Sequence, residues 1–394
     1  MTHDYRVYAT RWDSPRTVEE IPASGIEFSM PLSDHGDCSL TATVEPGRSQ
    51  WRPAVAPGIS GLLIARDDVP VWQGWVTADP QTGPRTFGIR AVEWGAFFER
   101  VPAVAATYVQ WDDHALFRDL ITRAALVSGQ DPQIVMGTTL GGVRSDWSVK
   151  SWDDKTVEGE FRAVGNQADG PEWYFDSAGT MAAPLRRLML SQRHGHITPQ
   201  TILEYVEDSA DWEPPEGLPS ITLLGSLFPG GLAVPATRRR GGNVVAPPMR
   251  TRDTGSSATQ TIAIGSGEEV AQLRATRSAS TLLAWGWPRL TRTTSYTDIT
   301  IWTTLDRHAR ADLAATAGLA TGYSLVTFDG APDWTQTPRG SSVRVLLDTD
   351  VYGAERPVGG QGGFAARLLN TTVRIPDDGP AQVQWDLATV LDDL

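Results

Sequence analysis

A chain of 394 residues is longer than one ordinary domain and predicts two to four. Its 40% hydrophobic and 21% charged residues exclude wholesale disorder, and 38 glycines with 27 prolines lacking a three-residue period exclude collagen and predict many turns between short strands. The formal charge of −13 argues against nonspecific nucleic-acid binding, which draws on basic residues, and the single cysteine, Cys38, excludes an internal disulfide and a cysteine-based zinc site.

The opening Met1-Thr2-His3-Asp4-Tyr5 lacks the basic start and apolar core of a signal peptide. No run of about 18 apolar residues occurs that could span a bilayer. The expectation is a soluble chain made in a cytoplasm, with no membrane insertion. Lys150 and Lys155 are the only lysines among 34 basic residues, so the rest are arginine. That skew fits a GC-rich genome. The one basic run, Arg238-Arg239-Arg240, precedes two glycines and reads as a solvated loop.

In chain order, the first hundred residues read as strands. Tyr5 to Thr10 and Cys38 to Val44 are β-branched or alternating. Leu62 to Arg66, the polar pair Asp67-Asp68, and Val69 to Val76 predict a hairpin. From Arg85 to Trp94, Phe87, Ile89, Ala91 and Glu93 share one face, while the other also carries large side chains. A strand of that kind suits a sheet covered on both sides. Asp112 and Asp113 then cap a predicted helix whose stripe is Leu116, Leu120, Ala124 and Val127, with Gly129 stopping it. A second helix is predicted over about 156–168 and weakened by Gly159 and Gly165. Glu172 to Asp176 and Thr180 to Ala183 read as a hairpin turning at Ser177-Ala178-Gly179. The stretch 210–255 is rich in proline, glycine and arginine and reads as excursions between strands. Strands are predicted again at Thr261 to Gly265, Ser342 to Leu347, Leu368 to Ile375 and Gln382 to Leu387. A helix near 305–317 is capped by Thr303 or Thr304. The order β, mixed, β predicts an α+β fold, mainly β, built on antiparallel sheets.

Signatures of chemistry are scarce. Ile262-Ala263-Ile264-Gly265-Ser266-Gly267 has part of a dinucleotide loop, but Val270 stands where the third glycine belongs and no βαβ unit surrounds it. A glycine hairpin turn is the expectation. His194 and His196 would share a face only in a strand and lack a third ligand, and Asp348 with Asp350 lacks the spacing of a calcium loop. No Gly-x-Ser-x-Gly elbow, His-Glu-x-x-His or Walker motif occurs. The expectation is a non-enzyme with no catalytic, cofactor or metal residues. Paired glycosidase carboxylates leave no dependable sequence mark. Fifteen tryptophans, including Trp72 with Trp75, Trp147 with Trp152 and Trp285 with Trp287, are expected in cores and subunit interfaces, with a saccharide platform as the alternative.

Leu62-Leu63-Ile64-Ala65-Arg66-Asp67-Asp68 leads into Val71-Trp72-Gln73-Gly74-Trp75-Val76, and then Glu93-Trp94-Gly95-Ala96-Phe97-Phe98-Glu99-Arg100 follows a strand. This succession, with Gly170-Pro171-Glu172-Trp173-Tyr174-Phe175, Pro338-Arg339-Gly340-Ser341-Ser342-Val343-Arg344-Val345 and Ala366-Arg367-Leu368-Leu369, resembles minor tail proteins of the baseplate hub or tail tip of long-tailed actinobacterial phages. The resemblance implies two tube-protein-like antiparallel β-barrel domains, 1–105 with about 200–254 and 255–394, and an inserted α+β domain over 106–199. It implies a homotrimer in the virion tail tip, contacting the distal tail protein, the tape measure protein and other minor tail proteins. DNA would pass through its channel without specific binding. The alternative within the same assembly is the distal tail adaptor. From another class, the alternative is a carbohydrate-binding protein or glycosidase.

Overall fold

The structure is a computed structural model. It describes residues 3–44, 51–128, 131–137, 142–167, 170–191, 201–204, 243–246, 248–253, 257–268, 272–297, 299–317, 320–330, 332–347 and 364–389. The first part holds β1 (Tyr5–Arg11), β2 (Ser14–Ile21), β3 (Ala23–Pro31), β4 (Asp37–Thr43), the short helix α1 (Trp51–Ala54), β5 (Ser60–Arg66), β6 (Val69–Ala78), β7 (Thr86–Glu93) and the short helix α2 (Gly95–Phe98). A mixed stretch follows: β8 (Ala106–Asp112), α3 (Asp113–Ser128), β9 (Ile134–Met136), β10 (Arg144–Val149), α4 (Val157–Gly165), β11 (Glu172–Thr180) and β12 (Ala183–Ser191). The remainder comprises β13 (Thr201–Glu204), β14 (Met249–Asp253), β15 (Gln260–Ile264), β16 (Arg274–Ser278), α5 (Ser280–Ala284), β17 (Thr291–Ser295), α6 (Trp302–Thr316), β18 (Ala320–Phe328), β19 (Ser342–Leu346), β20 (Phe364–Ile375) and β21 (Gln382–Thr389).

The mainly β, antiparallel expectation holds, and among the described residues the exceptions are three short parallel pairs, β9 with β12, β13 with β19 and β15 with β17. Among the described residues neither of the two expected barrels is closed. Among the described residues one 13-stranded sheet runs β14-β18-β21-β20-β3-β4-β7-β6-β5-β1-β2, with β19 and β13 branching from β20. The reason lies in β20. Its first residues pair with β19, and Asn370 to Ile375 then pair with Pro31 to Ile26 of β3. The flank of β3 that could have closed a first barrel is therefore taken by the C-terminal third. Both described strands of 200–254 also lie on that third, β13 against β19 and β14 against β18.

One face of this sheet buries Phe28, Leu40, Leu62, Trp72, Ile89, Leu325, Val343, Leu368, Val383 and Trp385 in a single core that crosses both halves. On the other face of β6 and β7, Trp75, Trp94 and Phe98 join a second core with Leu116, Phe117, Phe161, Trp173 and Leu188. That covering of both faces is what the large side chains on either side of the 85–94 strand predicted. Gln73 reinforces it by donating to Ser177 Oγ at 2.7 Å and the Leu185 carbonyl at 3.0 Å. A small sheet, β16-β15-β17, packs Ala263 and Ala275 against Leu305 and Ala309 of α6.

Local details both match and depart from expectation. Asp112 caps α3 by accepting from the amides of His114 and Ala115, and Leu116, Leu120 and Ala124 are buried as the stripe requires. Thr156 caps α4 by accepting from Gly159 N at 3.1 Å. The 172–191 hairpin turns later than expected: β11 runs on to Thr180, paired residue by residue with β12. Helix α6 begins at Trp302 without a side-chain cap, so Thr303 and Thr304 lie inside it. The Trp302 indole donates to the Arg274 carbonyl at 3.3 Å and fixes that start. The four- and five-residue helices α1, α2 and α5 are too short to leave a periodic signal.

Candidate functional site

No catalytic constellation organises the described residues; polar seams between distant parts of the chain do. At the first, Arg66 ends β5 and reaches Asp329 at 3.1 Å and Asp333 at 2.8 Å. Tyr5 Oη donates to Asp329 at 2.7 Å, and the Trp334 indole donates to it at 3.0 Å. Burial, reinforced by Asp329, pushes the Tyr5 hydroxyl well above its ordinary range. At the second seam Glu93, on the core face of β7, meets Arg339 at 2.6 Å with both side chains buried. Gly36 N donates to Glu93 at 2.8 Å, Arg339 donates to the Pro31 carbonyl, and its guanidinium lies 4.9 Å over the Tyr174 ring. Burial outweighs Arg339 and the Gly36 amide, so the Glu93 carboxyl sits above its ordinary value.

The third seam is Arg186, on β12. Its guanidinium donates to the carbonyls of Arg11 (2.5 Å), Trp12 (2.6 Å), Pro132 (2.7 Å) and Ser14 (2.9 Å) and lies 3.8 Å over the Trp94 ring. Burial pulls its pKa down to about 9, which leaves it charged at neutral pH. The cage thus locks 183–191 onto the β1–β2 turn. A fourth tie links the two helix-bearing regions, with Arg307 of α6 3.5 Å from the buried Asp113 at the start of α3. Asp113 was expected to cap α3; instead its carboxylate also accepts from Ser145 Oγ.

One group of described residues has metal-like spacing: Asp34, His35 and Glu158 bring ligand atoms within 4.8 Å of one another. Arg162 already answers both carboxylates, pairing with Asp34 at 2.7 Å and with Glu158. Its guanidinium supplies the countercharge a cation would bring, so the group reads as an ion-pair seam. Gly265 and Ser266 lie in the turn leaving β15, with Gly265 N donating to the Leu273 carbonyl and Gly267 at φ +113°. That is the hairpin turn the sequence suggested. His194, His196, Asp348, Asp350 and the 238–240 arginines lie outside the described residues. The tryptophans divide. Trp72 is in the main core and Trp75 in the second, whereas Trp152 and Trp285 are about three-quarters exposed, at 75% and 74%.

The other surface feature is the pair of sheet ends. Among the described residues β2 pairs only with β1, and β14 only with β18. Arg16, Val18 and Glu20 are exposed along β2, and Met249, Arg250 and Thr251 along β14. The seams were not foreseen from sequence, although Glu93 left a signal: a carboxylate in register with Ile89 and Ala91 needs a buried cationic partner.

No family model and no curated protein matches the chain. Solved structures do, along its whole length. A tail protein from Neisseria meningitidis MC58 superposes with a TM-score of 0.58 at 11% identity, covering 98% of this chain and 96% of that one. The 43 kDa tail protein of prophage MuSo2 from Shewanella oneidensis gives 0.58 at 9% identity, over 97% and 98%. A prophage tail protein from Listeria monocytogenes EGD-e gives 0.51 at 9% identity, over 98% and 95%. The chain therefore has the fold of phage tail proteins.

Proposed function

We propose that this chain is a structural virion protein of a phage tail tip, a baseplate hub that joins the tail tube to the host-contacting tip and forms part of the DNA channel. The observation that carries the reading is the end-to-end likeness to the Neisseria and Shewanella tail proteins, with nearly all of each chain covered. A chain of the Francisella PdpA–VgrG complex has the same fold at a TM-score of 0.52 over 58% of its length, which supports a place among other tail proteins. The partners would be two further copies in a homotrimer, the distal tail protein, the tape measure protein and other minor tail proteins. No catalytic role is assigned.

For the domain division, 106–199 is a unit of its own, set between the two parts of the chain that share the 13-stranded sheet. Its support is the second apolar core, centred on α3, α4, β11 and β12. The first unit is 1–105 and the last 255–394, and the pairing of β13 and β14 favours counting 200–254 with the last. Antibodies against an exposed segment such as 283–297 test the placement on intact particles. Label confined to the tail tip is the expected result; label along the shaft or at the head would overturn it. The adaptor reading is separated by particle averages, since six copies per ring in place of three would favour it. A glycan array probing Trp152→Ala and Trp285→Ala separates the carbohydrate reading, which predicts binding lost in one of them.

A further inference from the structure

Charge is spread unevenly along this chain. Of its 47 carboxylates none falls between Glu269 and Asp298, a span that carries Arg274, Arg277, Arg289 and Arg292. Arg277 is paired with Asp306, whereas among the described residues Arg274, Arg289 and Arg292 form no ion pair. The span holds β16, α5 and β17, and its tip is the turn that joins α5 to β17. Gly286 reverses the chain there at φ +89°. Trp285 N donates to the Thr281 carbonyl at 3.0 Å, and Trp287 N closes the turn by donating to the Leu282 carbonyl at 3.1 Å. Trp287 packs inward with Ala279, Leu282, Leu313 and Ala317. Trp285 is thereby held outward by a braced turn, at 74% exposure, with Leu290, Arg289 and Arg292 also exposed. Single apolar groups on a surface need no explanation, but here an indole on a rigid turn stands beside two unpaired arginines.

We propose that this tip is a peripheral docking site for an anionic lipid surface, with the Trp285 indole at the headgroup level and Arg289 and Arg292 at the lipid phosphates. The proposal goes beyond the tail-tip reading and does not rest on it. The chemistry selects this occupant. Indole rings favour the boundary between apolar chains and water, where the ring is covered and its N–H stays wet. Arginine stems lie along apolar surface while their guanidinium groups stay at the phosphates. A negative leaflet attracts such cations and repels carboxylates, and the span has none. A saccharide platform would need polar groups placed around the indole for the sugar hydroxyls, whereas the residues beside Trp285 are Leu283, Ala284, Gly286 and Pro288. The contact is superficial, since among the described residues no helix is long and apolar enough to cross a membrane. The acidity of the rest of the chain orients it. Repulsion from the leaflet is screened within about 10 Å at 0.1 M salt and turns the acid-free element towards the lipid.

The test floats the full chain with vesicles of equal parts phosphatidylcholine and phosphatidylglycerol. The expected result is binding that falls roughly tenfold in Trp285→Ala and about fivefold in each of Arg289→Gln and Arg292→Gln, and that pure phosphatidylcholine does not support. The three side chains are exposed, so circular dichroism and thermal unfolding of the variants should match the parent. Position is read separately. An environment-sensitive dye on Ala284→Cys should shift to the blue on the vesicles, and the same dye on Asp68→Cys should not, while the buried Cys38 thiol, pushed up by burial, stays unlabelled. Binding that survives Trp285→Ala, or a blue shift at position 68 instead, overturns the site. Equal binding to phosphatidylcholine alone overturns the anionic surface as its occupant. No flotation at millimolar lipid overturns the proposal outright, and Trp285-dependent retention on immobilised polyglutamate or on a glycerol-phosphate polymer would then give the tip to an acidic protein or an anionic polymer. The antibody placement of the chain on particles is decided independently of all these outcomes.

Discussion

Removing the Arg339 guanidinium would leave the Glu93 carboxylate buried with the Gly36 amide as its remaining described donor. Breaking one partner of such a pair costs about 3–5 kcal/mol, whereas replacing both with apolar groups of similar size is often neutral. Arg339→Ala should therefore lower stability in urea far more than Glu93→Leu combined with Arg339→Met, and equal losses would show that the seam is not an isolated pair. Asp306 gives a pH dependence with a definite sign. Arg277 grips it with two bonds of 2.6 and 2.5 Å, and with Arg310 holds its carboxyl below the ordinary aspartate range. Its folded value is depressed, so the stability it adds is complete above the unfolded value of about 3.9 and is lost as pH falls through the lower folded value. Protection of the Thr261 and Ala263 amides, opposite α6, relative to the unfolded chain should fall below about pH 4, and Asp306→Asn should lower it already at neutral pH. Neither seam was legible as a pair. Glu93 sits 246 residues from Arg339, and no local pattern announces a contact at that separation. Glu93 alone was visible, as a charge out of place on an apolar face.

Elements were legible where their stabilisation is local. Helices α3 and α4 carry caps and stripes within their own sequence, and both formed where the spacing put them. Thr156→Ala removes the bond to Gly159 N and should cost about 1 kcal/mol in thermal unfolding. The β5–β6 hairpin was equally plain, because Asp67-Asp68 stands between two apolar runs. Both aspartates have positive φ, 50° and 63°, where glycine is unstrained. Asp67 also accepts from Asp4 N and pairs with His3, while among the described residues Asp68 makes only a 3.6 Å contact with Arg6 on the surface. Asp68→Gly should accordingly stabilise the fold by about 0.5–1 kcal/mol, and Asp67→Gly should not, which differential scanning calorimetry on the two variants would resolve. What the sequence could not announce was which strands share a flank. Strand pairing between β3 and β20 joins residues more than 300 positions apart, and the alternation of Phe28 and Val373 would be the same in two closed barrels as in one open sheet. Tertiary pairing, not strand propensity, decided that point.

The whole molecule is an acidic chain in which several of the described arginines are spent internally. Arg66, Arg186 and Arg339 are buried in seams, Arg162 bridges Asp34 and Glu158, and Arg277 is held by Asp306. Binding to DNA depends on cations that release condensed counterions, so a formal charge of −13, with these five arginines tied into the fold, should give no retention of duplex DNA even at low salt. A ring of three copies would triple that charge around one axis. If the excess faces the channel, it repels the phosphates sliding past and keeps transit free of sticking. If it faces outward, it serves solubility. The two cases separate by salt. A lumen of like charge hinders entry most at low ionic strength, where the Debye length is about 30 Å at 0.01 M against about 10 Å at 0.1 M. Current carried by single assembled rings in a bilayer or solid-state pore should then be strongly cation-selective at low salt and lose that selectivity as salt rises. Selectivity that is absent at 0.01 M would place the acidic surface on the outside, while tight DNA retention by the isolated chain would remove the passive-channel reading altogether.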